Sequence, residues 1–555
     1  MPIKSPRPTP HFPTIDILTW IFDERNTQLD RSKPLFVSVA DPTRSISNDE
    51  LRTLTKRIGH GLRELAGVKD GDVVLCASQN HLLYPAVLFG TICAGALFTG
   101  SNPSYTEYEL LHQLRDSGAR VVFATALTLP TVLACAHKLS IPDESIFLLD
   151  GPRGVIRGIE ALLQYEGRDW SRLSTFRKVS STTVVLTYSS GTTGLSKGCE
   201  LTHWNLVSHG VSSISSLEPS CGEKRNPHKN HAEPVYLAFL PFFHAYGMTL
   251  SLINNSRMGH LTYVVEKFAF PTILQAIQNY RINHLVMAPP VAVLLAKSPI
   301  VKDYDLSSVT SIMCGAAPLG TEIALAAENA VDPGGRRNFK LCQAWGMSEI
   351  TAVISNFDYG DWDEETGRLS VGQLGAGIEA MIVDDDENEV AIGESGEVWL
   401  RAPFVFKGYW KNEKATREAV TADGWLRTGD VARVNDRGMF YIVDRKKVKG
   451  FQVAPAEIEA TLLTNPDVAD AAVIGVPRRD GGEEPRAYIV RSKPGVTASA
   501  IHAWVAQRLI AYKHLTGGIH FIDAIPKSAS GKILRRVLRD RAAKADHVGT
   551  TIARL

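Results

Sequence analysis

Over roughly the first 350 residues, short apolar and β-branched runs alternate with amphipathic stretches, and this alternation limits the chain to layered α/β architecture. The strand-like runs are Val73–Cys76, Arg120–Ala124, Thr183–Tyr188, Tyr236–Leu240, Leu285–Met287 and Ser311–Cys314. Leu51, Leu54, Ile58, Leu62 and Leu65 share one face at helical spacing. Strands separated by crossover helices run parallel, so mostly parallel sheets are expected. Tyr84 to Gly100 is the longest apolar stretch. It is interrupted by Pro85, Gly90 and Gly95 and falls short of the roughly 20 residues that span a bilayer, so it predicts a buried core helix and no transmembrane segment.

The texture changes near residue 380. Ala380–Val383, Glu397–Arg401 and Phe440–Val443 follow closely, punctuated by Gly and Asp, as in a small β subdomain. Beyond Asp444 a second pattern begins: helix-like Ala456–Leu463, strand-like Ala471–Val476 and Ala487–Arg491, helix-like Ala498–Leu509 and strand-like Ile519–Ile522. The expected organisation is a large domain at 1–443, with layered mostly parallel sheets and a β subdomain, and a small α+β domain at 444–555. The polar stretch Ser215 to Glu233 reads as an exposed loop.

A formal net charge of +1 argues against a dedicated nucleic-acid binder. The seven cysteines are widely spaced with no C-x-x-C pair, which predicts neither a disulfide framework nor a zinc site. The proline-rich, polar Met1 to Pro13 lacks the apolar core of a secretory signal. Ala553-Arg554-Leu555 resembles the small–basic–Leu peroxisomal address, so peroxisome is the expected location, with an import receptor as partner, and cytoplasm otherwise.

The sharpest local signal is Tyr188-Ser189-Ser190-Gly191-Thr192-Thr193-Gly194-Leu195-Ser196-Lys197-Gly198, which follows a strand-like run. Consecutive glycines and hydroxyls let backbone N–H groups converge on an anion, and a lysine adds charge, which suits a polyphosphate. It is not the NTPase P-loop, because Lys197 follows Ser196 and precedes Gly198. Taken alone, such a loop is also compatible with a plain Gly/Thr surface turn.

This loop resembles the signature of the acyl-adenylate-forming superfamily, and further blocks follow in the order that superfamily has them. They are Leu240-Pro241-Phe242-Phe243-His244-Ala245-Tyr246-Gly247, Gly315-Ala316-Ala317-Pro318-Leu319, Gln343-Ala344-Trp345-Gly346-Met347-Ser348-Glu349 and Gly424-Trp425-Leu426-Arg427-Thr428-Gly429-Asp430. Next come Asp444-Arg445, Gly450-Phe451-Gln452-Val453-Ala454-Pro455-Ala456-Glu457 and Pro526-Lys527-Ser528-Ala529-Ser530-Gly531-Lys532. The flavour is 4-coumarate:CoA ligase-like. The resemblance covers nearly the whole chain and implies an ATP-dependent acid:CoA ligase with a mobile C-terminal domain.

The resemblance also implies roles. ATP phosphates would sit on Ser189, Ser190, Gly191, Thr192, Thr193 and Lys197, with Mg²⁺ on Glu349. The rest of the ATP/AMP site would be Ala316, Gln343, Ala344, Trp345, Ser348, Asp430, Arg445, Lys447 and Gln452. Asp430 would accept from the ribose hydroxyls, and Trp345 would stack on adenine. Lys532 would neutralise the charge that develops as the carboxylate attacks the α-phosphate, as a mobile lysine can. His244 would stand between the acyl site and the thiol channel. Lys267, Lys449, Gly450 and Phe451 would meet coenzyme A. Tyr246, Met287, Val291, Gly315 and Ala344 would line an apolar pocket for an aryl, arylalkanoic or medium-chain acid.

The chain departs from the superfamily pattern in places. The segment between Arg445 and Gly450 is shortened to Lys446-Lys447-Val448-Lys449. Ser348 replaces a threonine, Ser196 a proline, Trp345 a tyrosine and Ala344 a glycine; the added methyl of Ala344 predicts a changed acyl preference. The shortened segment motivates a nucleotide- or acyl-binding protein defective in thioester formation as an alternative. Others are loading of a separate carrier protein, the stretch after Lys532 being too short for a fused one, and luciferase-type oxidation of the adenylate.

Overall fold

The computed structural model describes residues 2–23, 29–189, 196–217, 233–316, 319–335, 339–357, 367–384, 386–444, 455–478, 483–526 and 535–547. They divide into two compact units: 1–103, 114–188 and 198–445 form the first; 104–113, 189–197 and 446–555 form the second.

Two large sheets organise the first unit. One has eight strands in the order Gly408–Tyr409, Lys197–Thr202, Thr183–Ser189, Leu97–Ser101, Val73–Ala77, Ala119–Ala124, Ile146–Leu148, Arg157–Gly158. Pairing is parallel from Thr183–Ser189 through to Arg157–Gly158, and Gly408–Tyr409 adds an antiparallel edge on Lys197–Thr202. The other has seven strands: Leu341–Gln343, Ser311–Cys314, His284–Met287, Val235–Ala238, Leu261–Val264, Pro34–Ser38 and Ser45–Ser47. All but the last pairing are parallel. An antiparallel five-stranded sheet joins Ile3–Lys4, Glu379–Val383, Ser395–Arg401, Leu426–Val434 and Phe440–Asp444, which is the expected β subdomain. The α/β class with parallel sheets agrees with the sequence pattern.

Burial on both faces explains the continuous apolar strands: every residue of Val73–Ala77 and Leu97–Ser101 is buried. The stretch expected to be one buried helix is a helix and a strand. Tyr84–Cys93 is helical with all ten residues buried, the chain turns at Gly95 (φ +78°), and Leu97–Ser101 enters the sheet. A left-handed glycine ends the helix, and the β-favouring Leu-Phe-Thr run that follows adds to the strand Val73–Ala77.

Helix Asn48–Glu64 packs against Tyr84–Cys93. Its start is set by a capping box: Glu50 N–H donates to Ser47 Oγ at 3.2 Å, and Ser47 N–H donates to Glu50 Oε2 at 2.7 Å. Small residues let the helices approach closely. A Cβ on Gly59 would lie 2.8 Å from Cys93 Sγ, and one on Gly90 would lie 2.5 Å from Ile58 Cγ2.

In the second unit, Val468–Pro477, Glu483–Arg491 and Ile519–Phe521 form a three-stranded sheet. Helices Pro455–Leu463 and Ala498–Ala506 bury Ile458, Leu462, Ile501 and Val505 against Val473 and Ile489. Among the described residues no helix is long and apolar enough to cross a membrane, and no cysteine is disulfide-bonded.

Candidate active site

The glycine-rich segment leaves the strand Thr183–Ser189 and re-enters the sheet at Lys197–Thr202. Ser190, Gly191, Thr192 and Thr193 lie outside the described residues, as does the side chain of Ser189. The same holds for Arg445, Lys447, Lys449, Gly450, Phe451, Gln452, Lys532 and 553–555. Lys197 opens the returning strand, half-buried.

That strand carries the first element of the site. Lys197–Thr202 pairs with Gly408–Tyr409, with Cys199 opposite Tyr409. The Tyr409 hydroxyl donates to Glu349 Oε1 at 2.8 Å. Glu349 is 6% exposed and sits on a 3₁₀ turn, Ser348–Ile350. Burial, and then the Glu349 carboxylate, hold the Tyr409 phenol far above its ordinary pKa, so it is a permanent donor to Glu349. The turn ends at Thr351, with φ +71° and ψ −50°, and Ala352 N–H donates to Ile350 O at 2.8 Å. This is a γ-turn of the strained hand at a β-branched residue. Two bonds hold it to one segment: Phe406 N–H to Glu349 O at 2.8 Å, and Thr351 Oγ1 to Phe404 O at 2.9 Å.

Among the described residues no three His, Cys, Asp or Glu side chains cluster as a metal cage. A lone buried carboxylate still fits Mg²⁺, which is usually bound through one or two carboxylates together with substrate phosphates.

A second group lies where the strand Trp345–Gly346 meets Leu426–Val434. Trp345 is 1% exposed, and its indole Nε1–H donates to Asp430 Oδ2 at 2.7 Å. Its ring stacks on Phe440, with centroids 6.4 Å apart and planes at 23°. The ring expected to face adenine is thus enclosed, and its polar edge is spent on the expected ribose acceptor. Asp430 N–H donates to Thr428 Oγ1 at 3.1 Å, and Thr428 Oγ1–H donates to Val398 O at 2.6 Å.

Gln343 is buried and reads backbone. Its amide donates to Leu319 O at 3.2 Å and Arg368 O at 2.6 Å and accepts from Leu319 N–H at 2.9 Å. It thereby fixes Leu319, while nearby in sequence Ala316 takes a left-handed φ of +73°. Ala344 and Ser348 are buried beside it in sequence.

The expected acyl pocket needs a correction. Tyr246 packs with Leu240 and Leu250, flanked by Val286, Ala288, Met313, Ala316 and Val353. A Cβ on Gly315 would lie 2.9 Å from Tyr246 Oη, so Tyr246, Gly315 and Ala316 do adjoin. Met287 and Val291 belong to a different cluster, with Leu285 and Ile312. Side chains alternate along His284–Met287, so Val286 faces Tyr246 and Met287 faces away. Among the described residues no hydrogen-bond partner meets the buried Tyr246 Oη.

His244 is exposed and caps the turn Ala245–Gly247 by accepting from Tyr246 N–H at 3.3 Å. Asn80 clamps the preceding turn: Nδ2 donates to Leu240 O and Oδ1 accepts from Phe242 N–H, both at 2.9 Å. A π-helix, Met248–Asn254, follows, a form that recurs at functional sites. Lys267 is exposed beside Phe268 on the loop after Leu261–Val264. Sequence reasoning missed Asn80 and Tyr409, which lie far along the chain from the residues they hold. The only signal was Tyr409 in the otherwise ordinary Gly408-Tyr409-Trp410.

A sequence model of the AMP-binding enzyme family matches residues 22–410, and one of the AMP-binding enzyme C-terminal domain matches 457–532. A phenylacetyl-CoA ligase of Aspergillus niger is 34% identical over 95% of this chain and 97% of its own length. A peroxisomal OPC-8:0-CoA ligase of Arabidopsis thaliana is 33% identical over 96% and 94%. Among solved structures, an amide bond synthetase from Marinactinospora thermotolerans superposes with a TM-score of 0.77 at 23% identity, covering 95% of this chain and 99% of that one, a likeness of fold.

Proposed function

The chain belongs to the AMP-binding enzyme family, and from that premise we propose that it is an ATP-dependent acid:CoA ligase acting on an aryl, arylalkanoic or medium-chain acid. The observation that carries the reading is the tie from Glu349 through Tyr409 to the strand leaving the glycine-rich segment. It joins a buried carboxylate to a phosphate-loop element, as adenylation demands. Likeness along nearly the whole length to CoA ligases supports the thiol acceptor, and the phenylacetyl-CoA ligase among them supports an arylalkanoic acid.

In the first step a carboxylate oxygen attacks the α-phosphorus of ATP, the bond to the β-phosphate breaks, and pyrophosphate leaves. In the second the thiol sulfur of CoA attacks the acyl carbon, the bond to AMP breaks, and the thiol proton passes to solvent. On this reading the segment Ser189–Thr193 and Lys197 hold the phosphates, and Asp430 accepts from the ribose with Arg445 assisting. Gln343 and Ala316 shape the adenine end, with Lys447 and Gln452 completing the nucleotide site. Glu349 would hold Mg²⁺, which when bound neutralises phosphate charge. Lys532, on a mobile unit spanning 444–555, would stabilise the charge at phosphorus. His244, Lys267, Lys449, Gly450 and Phe451 serve the CoA side. Tyr246, Gly315 and Ala316, with Val286, Ala288 and Met313 in place of Met287 and Val291, line the acyl side, and Ala344 limits its depth. Ala553-Arg554-Leu555 serves as a peroxisomal address, in keeping with the peroxisomal relative in Arabidopsis.

The test is AMP release across a panel of acids, with and without CoA. AMP formation that requires both an acid and CoA, with acyl-CoA as product, is expected. Pyrophosphate exchange without CoA-dependent AMP release would instead identify a protein defective in thioester formation.

A further inference from the structure

Asp430 is held on three sides by its own fold. Gly429 takes a left-handed φ of +69° immediately before it, its own N–H is bonded to Thr428 Oγ1, and its carboxylate takes the indole N–H of Trp345. Trp345 cannot yield: it is 1% exposed, paired through Ser355 in a three-stranded sheet, and backed by the fully buried Phe440. Phe440 in turn pairs with Val434 on the strand that carries Asp430. The donor and the strand it anchors are therefore parts of one packed block.

The chemistry of the donor adds direction. An indole N–H only donates, whereas a hydroxyl in its place would also accept. The Trp345 bond thus uses the Asp430 carboxylate as an acceptor, the role that sugar hydroxyls also require of it. The terminal torsion of an aspartate is broad and roughly two-fold, so an unanchored carboxylate samples many orientations. The Trp345 bond restrains one oxygen before the nucleotide arrives, and preorganised acceptors discriminate better than mobile ones.

We infer that Trp345 is a positioning residue whose indole N–H fixes the Asp430 carboxylate and so sets how strongly the protein distinguishes a ribose from a deoxyribose nucleotide. The inference rests on the reading above that Asp430 accepts from the ribose.

Equilibrium binding of ATP, 2′-deoxy-ATP and 3′-deoxy-ATP tests it without turnover. Four proteins are compared: the parent, Asp430→Asn, Trp345→Phe, and a protein with 3-benzothienylalanine at position 345, which keeps the bicyclic shape but has no N–H. The parent is expected to prefer ATP over the more discriminating deoxy analogue by about 10- to 100-fold, the range of one charged hydrogen bond. Asp430→Asn should lose most of that preference. Trp345→Phe and the isostere should each lower it about three- to tenfold, the fraction of such a bond that misorientation forfeits. The isostere preserves packing, so a folding defect in Trp345→Phe does not decide the result. If the isostere discriminates like the parent while Asp430→Asn does not, Trp345 is structural only and the inference fails. If Asp430→Asn itself discriminates like the parent, the assignment of Asp430 to the ribose fails instead.

Discussion

The Tyr409 hydroxyl donates a hydrogen bond that connects two stretches of chain remote in sequence. Replacing it with phenylalanine removes the bond to Glu349 and leaves the ring in its contact with Phe406. A buried carboxylate deprived of a donor loses about 1 to 3 kcal/mol of stabilisation. Tyr409→Phe should therefore weaken binding of Mg·ATP about fivefold or more, while binding of ATP in excess chelator changes little; isothermal titration under both conditions separates the two. Equal losses with and without the ion would show that Tyr409 serves the fold rather than Glu349. At this scale the sequence offers candidates for the residues that would touch ligand, because their blocks are contiguous. Residues that hold those residues were invisible. Nothing in Gly408-Tyr409-Trp410 announces Glu349, and nothing in Trp345 announces that its N–H is taken by Asp430. Met287 and Val291 pack in a different cluster from Tyr246 for simpler reasons: a short apolar run does not declare whether Val286 or Met287 faces Tyr246, and Val291 lies one element on, in the helix Pro289–Lys297.

Elements were easier to read, and their failures are informative. The strands Val73–Ala77, Ala119–Ala124, Thr183–Ser189, Ser311–Cys314 and Glu379–Val383 match the apolar runs to within a residue or so at their ends. Leu97–Ser101 was absorbed into a supposed helix because uniform hydrophobicity carries no period. Spacing between elements depends on glycines set against rigid neighbours. A Cβ on Gly61 would lie 2.6 Å from the backbone oxygen of Leu162, and one on Gly90 would lie 2.5 Å from Cγ2 and 2.7 Å from Cβ of Ile58, the stem of a β-branched side chain. Neither neighbour swings away freely. Gly61→Ala and Gly90→Ala should each cost about 1 to 3 kcal/mol by overpacking, partly offset by the better helix propensity of alanine. Urea denaturation of the two variants checks this, and a variant as stable as the parent would refute it.

At the scale of the whole molecule, stability should depend on pH through buried histidines. Burial pushes His203 and His209 down to about 4. His209 Nε2 accepts from Val353 N–H at 3.1 Å and His203 Nδ1 from Ile17 N–H at 3.2 Å, so both serve as neutral acceptors. In the unfolded chain each titrates near 6.5. Stability from this source is complete above pH 6.5 and drains away as pH falls toward 4, by at most about 3 kcal/mol for each residue. His209→Gln keeps an acceptor for Val353 but cannot charge, so its melting temperature should fall less steeply across that window. An unchanged slope would locate the acid sensitivity elsewhere. No sequence pattern marked these histidines, because a histidine's neutrality follows from enclosure, and enclosure is a property of the assembled layers.

The helix Tyr84–Cys93 has no solvent-facing side. A newly made chain therefore carries a ten-residue adhesive segment that stays exposed until the sheet on one side and the helix Asn48–Glu64 on the other have formed. Two such chains that meet first will stick to each other by the same surface. Heat inactivation should accordingly worsen with protein concentration and fail to reverse on cooling, making the lifetime of this protein in a warm cell a matter of crowding and chaperone supply as much as of the folded state's free energy.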